Sequence, residues 1–271
     1  MRAADLHRCR LVPTPWPGVH GTHIESTRHY GRHWHDTYGF GLLEHGAHRS
    51  ASGLGCVDAY AGDLITTNPG EVHDGHPLGA ASRRWRMVYL EPHALVALTG
   101  AAPHVALARP VFHDPRLRGA LQRLFARLDA APPDRLACDE AIVEALGLLL
   151  DAHATTAPPQ DAGGDVRRAR DRLADETARA PTLAELAETA GLGKYQLLRR
   201  FEVAYGMPPH AWLRAHRAER ARSLIARGAS LAQAAADCGY ADQSHMTRLF
   251  VRQFGYTPGA WREAATARAP Q

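Results

Sequence analysis

The last third of the chain is written twice. Thr182 to Trp212 reads TLAELAETAGLGKYQLLRRFEVAYGMPPHAW, and Ser230 to Trp261 reads SLAQAAADCGYADQSHMTRLFVRQFGYTPGAW. Leu183, Ala184, Ala187 and Gly191 recur as Leu231, Ala232, Ala235 and Gly239 at a shift of 48. Phe201, Gly206, Pro209, Ala211 and Trp212 recur as Phe250, Gly255, Pro258, Ala260 and Trp261 at a shift of 49. One extra residue therefore follows the glycine of the second copy. A duplicated segment with a turn at a fixed place restricts this region to two copies of one small unit.

Within each copy the pattern predicts a short helix, a glycine turn and a second helix. Leu183, Leu186 and Ala187 give the first helix an apolar face, and Gly191 suits the left-handed exit of a tight turn. The next helix buries Leu197 and Phe201 and leaves Tyr195, Leu198, Arg199 and Glu202 outward. In the second copy Met246 and Phe250 point in, while Gln243, Ser244, Thr247 and Arg248 face out near the helix start. These are the parts of a helix-turn-helix, whose second helix meets base edges in the major groove. Gln pairs bidentately with adenine, and Arg with guanine. Pro209 suits a helix start and Gly228 a helix end. The rod between them spans roughly 28 Å at about 1.5 Å per residue, close to the ~34 Å of one turn of B-DNA. The same pattern also fits packed helical hairpins of a protein-interaction domain.

Charge and composition point the same way. Lys194 is the sole lysine beside 31 arginines. From Asp165 onward the chain carries a net +6, against −2 before it. A basic C-terminal part behind a slightly acidic front fits a nucleic-acid module joined to something else. Cys9, Cys56, Cys138 and Cys238 form no CxxC, which argues against a zinc ribbon or a disulfide framework. The opening MRAADLHRCRLVP has no apolar signal-peptide core, and no stretch reaches the ~18–20 apolar residues of a membrane span. A cytoplasmic protein with no membrane partner is expected.

The front of the chain has a different period. Tyr38–Glu44, Asp63–Thr67 and Trp85–Leu90 read as strands between Gly- and Pro-rich turns, suggesting a sandwich or small barrel over 1–92. Leu117, Leu121, Leu124 and Leu128 then form a helical stripe, and Ile142, Leu146, Leu149 and Leu150 a second. These helices, in 93–154, either cover the barrel or pair two copies of the chain, and the homodimer is the favoured expectation. Residues 155–164 read as a linker, and 165–266 as all helix: about 165–179, 183–189, 194–204, 209–226, 231–237, 242–254 and 258–265. The fold class is thus α+β in two domains, with seven helices and two helix-turn-helix units (183–204 and 231–254, joined by 209–226) in the second.

At Gly239-Tyr240-Ala241-Asp242-Gln243-Ser244-His245-Met246-Thr247-Arg248-Leu249-Phe250, followed by Phe254-Gly255-Tyr256-Thr257-Pro258, the chain resembles the AraC/XylS family of bacterial transcription regulators. Leu186-Ala187, Gly191-Leu192, Leu197 and Arg199-Arg200-Phe201 carry the likeness in the first unit, and it spans roughly 166–263. Departures are Gly193 in place of a serine cap, Arg200 at a commonly apolar position, Leu198 at a commonly polar one, and tryptophan at 212 and 261. The resemblance implies promoter DNA as partner. Tyr195, Arg199, Gln243, Ser244, Thr247 and Arg248 are expected to read bases, and Lys194, Arg200 and His245 to touch phosphates.

The front resembles the cupin-like jelly-roll sensor of the same family through His33-Trp34-His35, Tyr38, Ala61-Gly62-Asp63-Leu64 and Asn68-Pro69-Gly70-Glu71-Val72-His73. This implies a small effector of the sugar or amino-acid class, with RNA polymerase a possible further partner. Effector contacts are expected at His33, His35, Tyr38, Glu71, His73, Trp85 and Arg86. His33 and His35 face one side of a strand, and with His73 and Glu44 would suit a metal. Thirteen of the 17 histidines precede residue 114, so chance groupings are expected and no metal or cofactor is assigned. The expected role is a ligand-responsive regulator and not an enzyme. The rivals are a metal-dependent cupin enzyme with a helical appendage, and a DNA-binding protein whose barrel only dimerises.

Overall fold

Alternating and continuous apolar runs become strands up to Leu90, and the leucine stripes beyond it become helices. The computed structural model describes residues 6–53, 55–79, 82–100, 105–156, 163–175 and 179–266. Two compact units share the chain, the first made of 1–30, 35–158 and 264–271, and the second of 31–34 and 159–263.

The first unit opens with β1 (His7–Pro13), β2 (Val19–Ser26), β3 (Tyr30–His33), β4 (Tyr38–His45), β5 (Ala47–Ser52) and β6 (Gly55–Tyr60). β7 (Leu64–Thr67), β8 (His73–Pro77) and β9 (Arg83–Leu90) follow, then helix α1 (Pro92–Thr99). β10 (Val105–Leu107), β11 (Val111–Phe112), α2 (Pro115–Leu128), α3 (Arg135–His153) and β12 (Ala154–Thr156) complete it. A six-stranded sheet runs β1-β2-β9-β4-β7-β11 and a four-stranded one β3-β8-β5-β6. The strands extend past residue 92, because β11 closes the edge of the larger sheet by pairing with β7.

Alternation along β9 divides two cores. Trp85 and Met87 pack with Ile24, Leu43 and Ala59 on one face. Val88 and Leu90 join Phe40, Leu42 and Leu64 on the other, against α2 and α3. The larger sheet is thus buried on both faces, as the bulk on both sides of Trp85–Leu90 predicts. Gly41 lets β4 cross β9 closely, since a Cβ there would fall 2.0 Å from the Arg86 carbonyl oxygen.

The leucine stripes go to this core rather than to a second chain. Leu117, Leu121, Leu124, Leu128, Ile142, Leu146 and Leu149 all belong to it. At about 1.5–3 kcal/mol for each buried leucine, the barrel is their first claim. Asp114 caps α2 by accepting from the Arg116 and Leu117 N–H groups, and Asp134 caps α3 through Ala137.

In the second unit come α4 (Gly164–Asp175), α5 (Leu183–Ala190), α6 (Lys194–Tyr205), α7 (Pro209–Ala226), α8 (Leu231–Asp237), α9 (Gln243–Phe254) and α10 (Pro258–Thr266). These seven helices match the expected spans over the described residues; α4 is described to Asp175, and 176–178 lie outside the described residues. Of the expected linker, Thr155 and Thr156 belong to β12, which pairs with β10, and 157–162 lie outside the described residues.

Candidate nucleic-acid interface and ligand site

The two halves of the repeat fold by the same local chemistry. Thr182 caps α5 through a reciprocal pair with Glu185: the Glu185 N–H donates to the threonine hydroxyl at 3.2 Å, and the Thr182 N–H to the carboxylate at 2.6 Å. Ser230 caps α8 by accepting from the Gln233 N–H at 3.1 Å. The first helix of each pair leaves through a left-handed glycine, Gly191 at φ 69° and Gly239 at φ 68°. Leu192 then donates to the Ala187 carbonyl and Tyr240 to the Ala235 carbonyl, at 2.9 and 3.0 Å. This six-to-one bond is the same helix exit in both copies. The extra residue appears where the repeat places it: α6 starts at Lys194, three residues after its glycine, whereas α9 starts at Gln243, four after.

Leu197, Phe201, Met246 and Phe250 anchor α6 and α9, each fully buried. Their outer faces carry the expected readers. Lys194, Tyr195 and Arg199 are exposed on α6, and Gln243, Ser244 and Arg248 on α9. Tyr195 is 71% exposed, with the Arg199 guanidinium 5.9 Å from its ring centre. Asp242 caps α9 by accepting from the His245 N–H at 2.6 Å. Gly193 offers α6 no side-chain cap; its N–H donates to Gln196 Oε1 at 3.2 Å instead.

Three of the expected DNA contacts also have partners within the chain. Arg200 pairs with Asp165 at 2.6 Å. His245 lies edge-on to Tyr240 at 5.6 Å and accepts from the Ala241 N–H. Thr247 is half-buried, its hydroxyl donating to the Gln243 carbonyl at 2.8 Å. Leu198 is half-buried too.

α7 joins the two helix-turn-helix copies. Its 18 residues make a rod of roughly 27 Å. Glu219 and Arg222 are buried on it and paired at 2.8 Å. Trp261 of α10 donates its indole N–H to the Arg222 carbonyl at 2.8 Å.

In the first unit the expected effector residues separate. His35 and His73 lie together, ring centres 5.4 Å apart, and Tyr89 is 6.0 Å from His35. The Nδ1 atoms of His33 and His73 sit 2.7 and 2.9 Å from the Gly31 and Glu71 carbonyls. Burial holds His73 below its ordinary pKa, offset by its hydrogen bond to the Glu71 backbone and by the nearby Glu71 and Asp74 charges. Trp85 faces the layer between the sheets.

The remaining candidates lie elsewhere. Tyr38 belongs to the helix-facing core, its hydroxyl donating to the Val105 carbonyl at 2.7 Å. Glu71 is taken by the turn, accepting from the Asn68 N–H and side-chain amide at 3.0 Å each. Arg86, one residue from Trp85, faces the opposite way and pairs with Glu44 at 2.7 Å and Asp129 at 3.1 Å. Glu44 is therefore not a fourth ligand for the histidines.

Arg83 was not singled out by the sequence reading, yet it shares a face with Trp85. It is fully buried, donates to the Arg28 and Gly75 carbonyls at 3.0 and 3.2 Å, and lies 4.9 and 5.8 Å from the Trp85 and Tyr30 ring centres. Burial pulls its pKa down to about 10. Its parity with Trp85 is the signal that would have found it.

Residues 18–146 match the AraC-like ligand binding domain, and residues 186–264 match the Helix-turn-helix domain. The chain belongs to the AraC family of transcription regulators. An uncharacterized HTH-type transcriptional regulator YbfI of Bacillus subtilis is 29% identical over 242 residues, covering 83% of this chain and 86% of that one. The transcriptional activator NphR of a Rhodococcus species is 29% identical over 177 residues, 61% of this chain and 52% of its own length. Among solved structures, ToxT of Vibrio cholerae with an unsaturated fatty acid bound aligns over all of both chains at TM-score 0.52 and 11% identity, a likeness of fold. As an AraC-family chain this is a DNA-binding transcription regulator with a ligand-binding domain. Among the described residues no helix is long and apolar enough to cross a membrane.

Proposed function

We propose that this regulator binds promoter DNA through α6 and α9, and that its first unit binds a small effector near His35, His73 and Trp85. The observation that carries the reading is the matched pair of polar helix faces, each following the same glycine exit and each packed on α7. Tyr195 and Arg199 read bases in one half, and Gln243, Ser244 and Arg248 in the other, with Lys194 on phosphate. Because the two faces differ, the site on DNA is asymmetric.

The effector is of the sugar or amino-acid class. The chain acts in the cytoplasm as a homodimer, with RNA polymerase as a further contact. Leu136 and Val143, 68% and 49% exposed on α3, supply the apolar surface for pairing.

Footprinting on the DNA upstream of the gene tests the reading. It expects one protected stretch with two contacted grooves about 10 base pairs apart; equal affinity for scrambled DNA would overturn it. Thermal-shift screening of sugars and amino acids tests the sensor, since a ligand at 100 times its Kd raises stability by about 2.7 kcal/mol. No shift across the panel would favour a barrel that only dimerises.

A further inference from the structure

On the helix-facing side of the larger sheet, three neighbouring strands place one polar row side by side, with Leu42 of β4 next to it. Arg10 is opposite His23, His23 opposite Arg86, and Arg86 opposite Leu42. Next to this row the β4–β9 pairing slips, with Leu43 opposite Trp85 but His45 opposite Arg84. Glu44 is the extra residue of that bulge, and bulges re-aim side chains. Its carboxylate reaches Arg84 at 3.2 Å and Arg86 at 2.7 Å.

A cleft of about 550 Å³ opens here, lined by His23, Glu44, Arg84, Arg86, Arg118 and Gln122 among others. That volume is in the range of small-molecule sites, roughly 300–1,000 Å³. Three guanidiniums face one carboxylate in the lining. Asp129 is occupied outside it, accepting from Arg10 at 2.7 Å and from Arg86 at 3.1 Å. Arg118 has no ion pair among the described residues. It passes over the Gly62 turn, where a Cβ would stand 3.3 Å from its Nη1.

His23 adds a donor. Arg10 donates to its Nδ1 at 2.8 Å, so the ring proton of the neutral imidazole is on Nε2. That buried Nε2 makes no hydrogen bond, since Asp129 Oδ2 at 3.9 Å is out of reach. Planar guanidinium forks and an unsatisfied N–H are the donors that a carboxylate or phosphate accepts from.

We infer that this cleft between β4, β9 and α2 binds a small oxyanion, a carboxylate- or phosphate-bearing metabolite. The site is separate from the histidine group beside Tyr89, because Arg86 and Tyr89 point to opposite faces of one strand. It stands whether or not its ligand controls DNA binding.

Calorimetry on the whole chain without DNA is the test, with inorganic phosphate, glycerol phosphate, succinate and neutral succinamide as probes. The expected result is saturable binding of phosphates, of carboxylates or of both, and none of succinamide. Binding by the phosphates alone assigns a phosphate ester, and by succinate alone a carboxylic acid. Arg118→Gln is expected to weaken the binding at least tenfold while leaving the melting temperature within a few degrees, since this side chain anchors no ion pair. Arg84→Gln is the second variant, expected to weaken it similarly. No saturable heat with any anion, or equal affinity in the wild type and both variants, would overturn the proposal.

Discussion

The guanidinium of Arg83 lies 4.9 Å from the centre of the Trp85 ring, two residues along the same strand and fully buried. Among the described residues no ion pair to it is found. Two carbonyls and two aromatic faces replace the water it has left. Replacing it with methionine keeps the bulk but leaves both carbonyls without these donors. At about 1.5–3 kcal/mol for a hydrogen bond to a charged group, Arg83→Met is expected to cost on the order of 3 kcal/mol. Urea unfolding of the first unit checks this, and a cost below about 0.5 kcal/mol, the scatter of a neutral surface change, would refute the role.

Acid should loosen the same unit. Burial, then the charges of Arg86 and Arg10, push His23 down to about 4, and burial with Arg83 pushes His48 down to about 3. Unfolded, both rings titrate near 6.5. As pH falls, the unfolded chain therefore takes up protons first. The stabilisation is whole above about pH 6.5 and is lost as pH drops toward 4, at up to roughly 1.4 kcal/mol per pH unit for each ring. Melting temperatures between pH 8 and 4 should show this slope, and His48→Gln should make it shallower. An identical slope in the variant would remove His48 from the explanation.

Glu219 and Arg222 should hold the second unit together. Both are buried, and the Arg222 guanidinium sits 5.6 and 5.3 Å from the Phe254 and Trp261 ring centres. Glu219→Ala deletes the carboxylate facing a buried cation and is expected to cost about 3–5 kcal/mol. Exchanging both residues for methionine should cost much less than the single change. A single-variant cost under 1 kcal/mol in guanidinium unfolding would show the pair to be incidental.

The repeat made the helical unit legible residue by residue. Leu197, Phe201, Met246 and Phe250 repeat at helical spacing, and both glycines mark left-handed exits, so local chemistry settles the outcome. The ion pair of Arg200 was not legible, because Asp165 is distant in sequence and reaches it only through tertiary packing. The ligand-binding unit was harder for a similar reason. Register decides which face a strand residue takes, and register depends on partners distant in sequence. Thus Trp85 and Arg86, adjacent in the chain, were expected in one pocket and stand on opposite faces. The bulge at Glu44 and the row Arg10–His23–Arg86 exist only once β1, β2, β9 and β4 are aligned. The leucine stripes of α2 and α3 were correctly helical, but periodicity alone did not say that the barrel would cover them.

The central claim is that the exposed N-terminal face of α9 reads bases. Quantitative gel shifts with Arg248→Ala, against the upstream DNA and variants mutated base by base, test it most directly. Loss of a bidentate arginine–guanine contact should weaken specific binding by roughly 5- to 150-fold, about 1–3 kcal/mol, and relax preference at one position. Unchanged affinity with unchanged sequence preference would contradict the assignment of α9 as a recognition helix.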